Sequence, residues 1–392
     1  MMFDHHSYYD PATAIDDSDA PHGFDPATQY RRWSGAGFSD ADCQGFYKSG
    51  YVITRSGLVI DRYHGGALST CDFRTRFPVT EFGIALSRGT CRVPVHRATS
   101  LADVARIVEK INSSVNRRLL FRGQTKSYSL AREKPNSFFR IPDLGEVSLM
   151  PSVWRRVLRD RPNVYHWFRN LTLFEWSSII YSSVDILDID RRVLKAQASG
   201  DWITTIGDME DSEDPVLKKF GQLRADMTME FGNRLDWPLS TLLQHYGLYS
   251  PALDLTTELD VAIFFATHRF KKESGISAYQ FVGSNARQAV IYVIKEDRNE
   301  STNYERIRLL DELDPQRPKL QSCVIFGSGP DAMNLAADFL QGIIFLDFDL
   351  AGPGRIGVGH IFPREEDDRF LAALKSNLTG RPREALTDFY SH

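Results

Sequence analysis

Three short segments of the chain hold side chains suited to chemistry. In the first, Phe121-Arg122-Gly123-Gln124, a guanidinium follows the apolar run Leu119-Leu120-Phe121. Arg122 offers a rigid fork matched to phosphate or carboxylate. Gly123 lets a ligand approach the backbone closely. Gln124 adds a neutral donor and acceptor. The competing reading of Arg122 is a structural ion pair with a buried carboxylate. In the second segment, Gln244-His245-Tyr246-Gly247, a histidine stands at the end of a helix. There the helix dipole favours its charged form, and it can donate to a phosphate or act as acid or base. A satisfied, half-buried histidine is the alternative. In the third, Leu253-Asp254-Leu255-Thr256, two polar residues leave an apolar strand just before a helix start. The plain reading is that Asp254 or Thr256 caps that helix.

The elements that must position these residues are legible in the periodicity. Tyr51-Val52-Ile53-Thr54 and Leu58-Val59-Ile60-Asp61 flank Arg55-Ser56-Gly57 and predict a β-hairpin. A further strand is expected around residues 82–86. Ser100-Leu101-Ala102-Asp103 has the form of a capping box, and Leu101, Val104, Ile107, Val108 and Ile111 recur at helical spacing behind it. Residues 118–122 read as a strand running into a turn at Gly123. Residues 150–235 read as mainly helical, on apolar stripes that include Trp154 and Trp167, with an acidic loop over 207–214. A helix opens at Asp236-Trp237-Pro238, buries Leu239, Leu242, Leu243 and Tyr246, and is capped by Gly247. A strand over 252–255, a helix with Leu259, Ala262, Ile263 and Ala266 inward, and strands at 289–294, 323–326 and 343–348 follow. Beyond Leu350 come a Gly-rich turn, a short strand and a C-terminal helix near 369–378.

Helices and strands do not alternate regularly. The expected class is therefore α+β, a mixed central sheet flanked by helices with a helical insertion, rather than a doubly wound sheet. The expected organisation is a flexible arm over 1–36, a small β-rich region over 37–98, a main domain over 99–348 with its helical insertion at about 155–235, and a C-terminal extension over 349–392.

Composition narrows the function classes. The chain has 392 residues, 42% hydrophobic and 25% charged, with a net charge of −4. It is long enough for a large core, and its overall field is not that of a nucleic-acid binder. The four cysteines, Cys43, Cys71, Cys91 and Cys323, include no CxxC pair, so no metal site is expected. They read as reduced thiols of a cytoplasmic protein. The first twenty residues lack the basic start and apolar run of a signal peptide, and no membrane span is expected. Gly352-Pro353-Gly354-Arg355-Ile356-Gly357 has the spacing of a dinucleotide fingerprint, but Val358–Pro363 does not read as the helix that motif requires.

Taken together and in order, several segments resemble the FRG domain family, named for its Phe-Arg-Gly motif. They are Leu120–Gln124, Leu149–Arg155, His245–Leu248, Leu253–Thr256 with Ala262–Ala266, and Arg317–Gln321. The resemblance covers about residues 99–348. Two departures stand out: Tyr249-Ser250-Pro251 takes the place of a Pro-Thr-Arg segment frequent in the family, and Leu255 stands where the family has an aromatic. The resemblance implies an intracellular module, often found in bacterial and phage-encoded proteins, such as an effector in phage defence.

The layout also looks like that of ADP-ribosyltransferases, at the level of fold analogy. On that likeness Arg122, with Gly123, Gln124, Tyr246 and Thr256, would hold NAD as the nucleotide ligand, while His245, Asp254 and Gln321 would carry catalysis. Gln321 can bond a ribose hydroxyl but brings no charge to an oxocarbenium-like centre. Asp254 supplies that charge if it faces the same pocket. The sequence leaves open whether the target is a protein, a nucleic acid or a free nucleotide, and it does not fix the oligomeric state. The other reading is a non-enzymatic sensor or adaptor that binds a nucleotide, RNA or protein. It rests on Arg117, Arg118, Lys126, Arg132 and Lys134 interleaved with Phe121, Tyr128, Phe138 and Phe139, a mixture of basic and aromatic residues like that of single-strand binders.

Overall fold

The fold is that of a computed structural model. It describes residues 25–53, 93–149, 186–232, 253–273, 276–298, 314–326 and 339–377, together with the short stretches 59–61, 63–66, 244–247 and 301–303 and a few isolated positions. The tryptophan stripes expected over 154–179 lie outside the described residues, as does most of the helix expected from Asp236.

The described residues begin with α1 (Pro26–Gly35) and α2 (Asp40–Lys48), followed by the short antiparallel strands β1 (Tyr51–Ile53), β2 (Val59–Asp61) and β3 (Gly65–Gly66). The hairpin is as expected, but residues 26–35 are not a flexible arm. Asp25 caps α1 by accepting from the Thr28 N–H, Pro26 sits in the first turn, and Trp33 is fully buried against Phe38, Phe46 and Phe82. Burying such a side chain stabilises by about 1.5–3 kcal/mol, enough to hold a ten-residue helix whose outer face is polar. The composition of the first 36 residues hid this because one aromatic anchor carries the packing. Of the strand expected over 82–86, only Phe82 is described, as a member of this cluster.

Next come β4 (Val95–Ala98), α3 (Leu101–Ser114), β5 (Leu119–Gln124), and the small strands β6 (Ser129–Leu130), β7 (Arg140–Ile141) and β8 (Gly145–Val147). Ser100 caps α3 by accepting from the Asp103 N–H, while the Asp103 carboxylate turns back to the Thr99 N–H. β5 does not stop at Gly123 but runs through it to Gln124. Helices α4 (Ile186–Ala198), α5 (Ile206–Glu210) and α6 (Pro215–Gly232) follow. The acidic stretch expected as a loop holds α5, because Thr205 and Asp208 form a reciprocal capping box.

The remaining elements are β9 (Leu253–Thr256), α7 (Leu259–Thr267), the hairpin of β10 (His268–Glu273) and β11 (Ile276–Phe281), β12 (Val290–Lys295), β13 (Ser301–Asn303), α8 (Gln316–Leu320), β14 (Cys323–Phe326), β15 (Leu340–Leu346), α9 (Val358–Ile361) and α10 (Arg369–Asn377). Beyond Leu350 a turn of helix, α9, stands where a short strand was expected. α9 also follows the Gly-Pro-Gly segment, where no helix was expected, but it is only four residues long.

Among the described residues seven strands form the main sheet, in the order β13-β14-β9-β5-β12-β15-β4. All neighbouring pairs are antiparallel except β15 and β4, so the sheet is mixed and the class is α+β. β12 reads Val-Ile-Tyr-Val-Ile-Lys and is apolar on both faces because both are covered. One face meets Phe139, Ile141, Val147 and Leu149 of the small β6-β8-β7 sheet, and the other meets α3 and α7. α7 is apolar all round and buried accordingly. Gly123 lets α7 lie directly on β5: a Cβ there would stand 1.7 Å from the Ala262 carbonyl oxygen and 2.7 Å from the Ala266 nitrogen.

A buried ionic cluster ties the N-terminal strands to the main domain. The Arg132 guanidinium bonds both Asp61 and Glu146, and Glu146 accepts from His64 at 2.7 Å. Asn136 donates to Asp61 at 3.0 Å. Arg132 also lies over the rings of Tyr51 and Tyr63. Asn334 accepts from the Leu149 and Ala336 N–H groups, so its amide nitrogen faces His64 Nδ1 as donor. That leaves the His64 proton on Nε2, toward Glu146.

Candidate active site

A cleft of about 270 Å³ opens where β5, β9 and β14 meet the start of α7. Its wall includes Phe121, Phe265, Tyr279 and Phe362, and its polar lining is Arg122, Gln244, His245, Asp254, Thr256, Gln321 and Cys323. Five of the eight residues singled out in the sequence line this one cleft as polar groups, namely Arg122, His245, Asp254, Thr256 and Gln321. Gly123 borders it as well, with its bare Cα turned to α7.

Two expected residues lie elsewhere. Tyr246 is fully buried; its hydroxyl donates to Asp368 at 2.6 Å, and its ring meets Phe370 at 5.1 Å and carries the Arg317 guanidinium above it. It anchors the C-terminal helix α10. Burial raises the pKa of Asp368, opposed by that hydroxyl bond. Gln124 ends β5 outside the cleft, with Oε1 buried and unbonded.

The centre of the cleft is Asp254. Arg122 donates through NH1 to the Asp254 backbone oxygen at 2.7 Å and to Oδ1 at 3.1 Å. Gln244 donates to the same Oδ1 at 2.6 Å. Among the described residues Oδ2 has no donor, and the carboxylate is 23% exposed. Burial pushes its pKa up, but the Arg122 guanidinium and then His245 outweigh that and hold it below the usual carboxylate value. Asp254 is therefore ionised at neutral pH. Both earlier readings of Arg122 meet here, since it pairs with a carboxylate and still lines an open cleft. Its Nε–H is buried with no acceptor.

A second chain of bonds runs behind the carboxylate. Gln321 donates through Nε2 to the Ile361 carbonyl, which fixes its amide and turns Oε1 toward His245 Nδ1 at 2.9 Å. His245 Nδ1 therefore carries the proton, and Nε2 faces Cys323 Sγ at 3.2 Å as an acceptor. Burial lowers the His245 pKa, so the ring is neutral. The helix-end charge expected for His245 is overridden by loss of solvent. Gly247 adopts φ +92°, the left-handed conformation expected of a C-cap. Arg317 donates to the His245 carbonyl at 3.1 Å and holds this turn from below. Thr256 does not cap α7, whose N-cap is Glu258 with no side-chain cap bond; instead its hydroxyl accepts from the Glu258 N–H two residues on and donates to the Gln321 backbone oxygen. It thereby ties the start of α7 to the residue that orients His245.

Gln244, Cys323, Tyr279, Phe265 and Phe362 were not assigned to the site from sequence. Gln244 and Cys323 had a local signal, standing one position from His245 and two from Gln321. The three aromatics had none, because they come from α7, the β10–β11 hairpin and the segment after α9.

The basic and aromatic mixture around the Phe-Arg-Gly segment is largely consumed by packing. Arg132 is in the ionic cluster, Arg118 pairs with Glu296, Lys134 pairs with Asp42, and Phe121 and Phe139 are core residues. The exposed Arg117 and Lys126 over the exposed Tyr128 ring are what remains of the single-strand-binding pattern among the described residues. No group of three His, Cys, Asp or Glu there could hold a metal ion, and no helix there is long and apolar enough to cross a membrane.

The family model for the FRG domain matches residues 189–275. The match takes in α4, α5, α6, β9, α7 and β10, and with them His245, Asp254 and Thr256 of the cleft, and supports the FRG family. Arg122 and Gln321 lie outside the matched segment. No curated protein and no solved structure matches the chain.

Proposed function

We propose that the cleft cleaves a nucleotide whose base leaves from a ribose carbon bearing positive charge, with NAD as the substrate, in the manner of an ADP-ribosyltransferase or NAD glycohydrolase. One observation carries this reading: an ionised carboxylate stands in an aromatic-walled cleft with one oxygen that no described residue bonds. Breaking a glycosidic bond to a pyridinium base places positive charge on the ribose ring. A preorganised carboxylate in a low-dielectric site stabilises that charge more than water does.

Each remaining group has a task consistent with this. Arg122 and Gln244 hold Oδ1 of Asp254, which leaves Oδ2 to face the ribose. Arg122 thus acts as the support of the carboxylate. The rings of Phe265, Tyr279 and Phe362 offer a surface for the departing base. The volume of about 270 Å³ lies just below the roughly 300–1,000 Å³ of pockets that enclose drug-sized ligands. That suits the nicotinamide riboside end, with the adenylate end lying across the rim.

The test is nicotinamide release from NAD by the purified protein and by Asp254→Asn, which keeps the shape and hydrogen bonding of the side chain and removes its charge. The expected loss is about 100-fold or more, the scale of a lost transition-state electrostatic contact. Release by Asp254→Asn at the wild-type rate would refute the reading.

A further inference from the structure

The cleft holds a thiol that cleavage by Asp254 alone does not use. Cys323 begins β14, is buried with 4% exposure, and lines the cleft beside the carboxylate. It is not an isolated cysteine. The bonded chain from the Ile361 carbonyl through Gln321 and His245 fixes which imidazole nitrogen is bare, and that nitrogen is the one against the sulfur. A base oriented by a third group and facing a nucleophile is the geometric signature of covalent catalysis.

We infer that Cys323 is the nucleophile of the cleft and captures the ribosyl carbon of the bound nucleotide as an S-ribosyl intermediate, with His245 as its base and Gln321 as the group that positions His245. The inference rests on the cleavage reading above and makes it a double displacement. The neighbouring charge selects the electrophile. Attack on an acyl carbon would build an oxyanion beside the ionised Asp254, whereas attack on a ribosyl carbon builds positive charge there. The site therefore favours the glycosyl substrate over an ester, amide or thioester.

The step balances as follows. A sulfur lone pair forms the S–C1′ bond as the C1′–N bond breaks, and that bond's electron pair leaves with the pyridine nitrogen, so nicotinamide departs neutral. The S–H proton passes to His245 Nε2. The imidazolium so formed is flanked by the Gln321 carbonyl oxygen and the Asp254 charge. In the second half the S–C1′ bond breaks as an acceptor hydroxyl attacks C1′, its electron pair returns to the sulfur, His245 gives its proton back to that sulfur, and the acceptor's proton leaves to water. Burial, and then the Asp254 charge, push the Cys323 thiol well above its ordinary pKa. The sulfur accordingly rests protonated, and the proton must leave during the attack, which is why a base in contact is needed.

The experiment uses the full chain with NAD, quenched in acid during turnover and analysed by mass spectrometry of its peptides, with methanol as acceptor in a parallel reaction. The expected result is one ADP-ribosyl group on the Cys323 peptide and none on the Cys43 peptide. Methyl ADP-ribose should carry the anomeric configuration of the NAD consumed, as two successive inversions require. Cys323→Ser and Cys323→Ala, each checked for an unchanged unfolding midpoint, should both lose the adduct and at least 100-fold in nicotinamide release. If wild-type protein releases nicotinamide, forms no adduct and gives the inverted product, the thiol assignment is overturned and the cleavage reading stands. If wild-type protein releases no nicotinamide at all, both fall.

Discussion

Replacing Gly123 with alanine tests how the site is built. The added Cβ would stand 1.7 Å from the Ala262 carbonyl oxygen, 2.7 Å from its carbonyl carbon and 2.7 Å from the Ala266 nitrogen. All three atoms belong to the backbone of α7, so no side-chain rotation relieves the clash. Van der Waals contact between carbon and a backbone atom needs ~3.5 Å, so helix and strand must separate by more than an ångström over part of their contact. Overpacking a core typically costs about 1–3 kcal/mol, and a rigid backbone neighbour puts this case at or above the upper figure. Alanine gains back about 0.5–1 kcal/mol over glycine in a strand through the unfolded chain. The net expectation is a loss of at least 2 kcal/mol, measured by urea unfolding of the full chain. Gly352→Ala, where an added Cβ meets nothing within 4 Å, is the control and should stay within about 0.5 kcal/mol of wild type. Arg122 is the next residue on β5, so nicotinamide release should fall with the displacement even under conditions where Gly123→Ala is fully folded. Unfolding of Gly123→Ala within 0.5 kcal/mol of wild type would show that α7 is not seated on β5 as described.

Other perturbations follow from the charges. Arg132→Met removes the cation shared by the buried Asp61 and Glu146 and should cost about 3–5 kcal/mol in urea unfolding, the penalty of leaving buried charge uncompensated; a cost under 1 kcal/mol would mean the cluster is hydrated or protonated. Arg122→Ala removes the main group that lowers the Asp254 pKa. The acid limb of the pH–rate profile for nicotinamide release should then move to higher pH, and an unmoved limb would separate Arg122 from the titrating carboxylate. His245, His96 and His268 all have pKa values lowered by burial. Below the unfolded value near 6.5 the unfolded chain binds protons that the folded one refuses, so stability should be complete above about pH 6.5 and fall as pH drops through that value. An unfolding midpoint flat between pH 7 and 5 would contradict the buried neutral imidazoles of His245 and His268 and the half-buried one of His96.

Much of the architecture was written locally. The strands β1, β2, β5, β9, β12, β14 and β15 follow from short apolar runs of the right length, α3 from its capping signal and apolar spacing, and α7 from apolar spacing. These patterns are legible because each depends on neighbours within a few residues. The same is true of Gly247, whose left-handed conformation was expected from its place after a helix. Where such reading failed, a distant contact or an overlooked cap decided the outcome. α1 is ordered because Trp33 finds Phe46 and Phe82, and α5 forms because Thr205 and Asp208 cap it.

The site divides in the same way. The types of Arg122, His245, Asp254, Thr256 and Gln321 announced chemistry, yet nothing in their spacing said what each would touch. Arg122 meets Asp254 across 132 residues, and His245 meets Cys323 across 78. Strand pairing sets the first, since β5 lies beside β9; for the second, the pairing of β9 with β14 puts Cys323 beside Thr256, and Gln321 and Arg317 hold the His245 turn against it. The states of the groups were fixed later still. His245 is neutral because folding removes its water, although a helix end alone would have favoured its charge. Sequence thus determined which groups were available, and the tertiary structure decided their partners and protonation, because solvent exclusion and long-range pairing exist only once the chain has closed on itself.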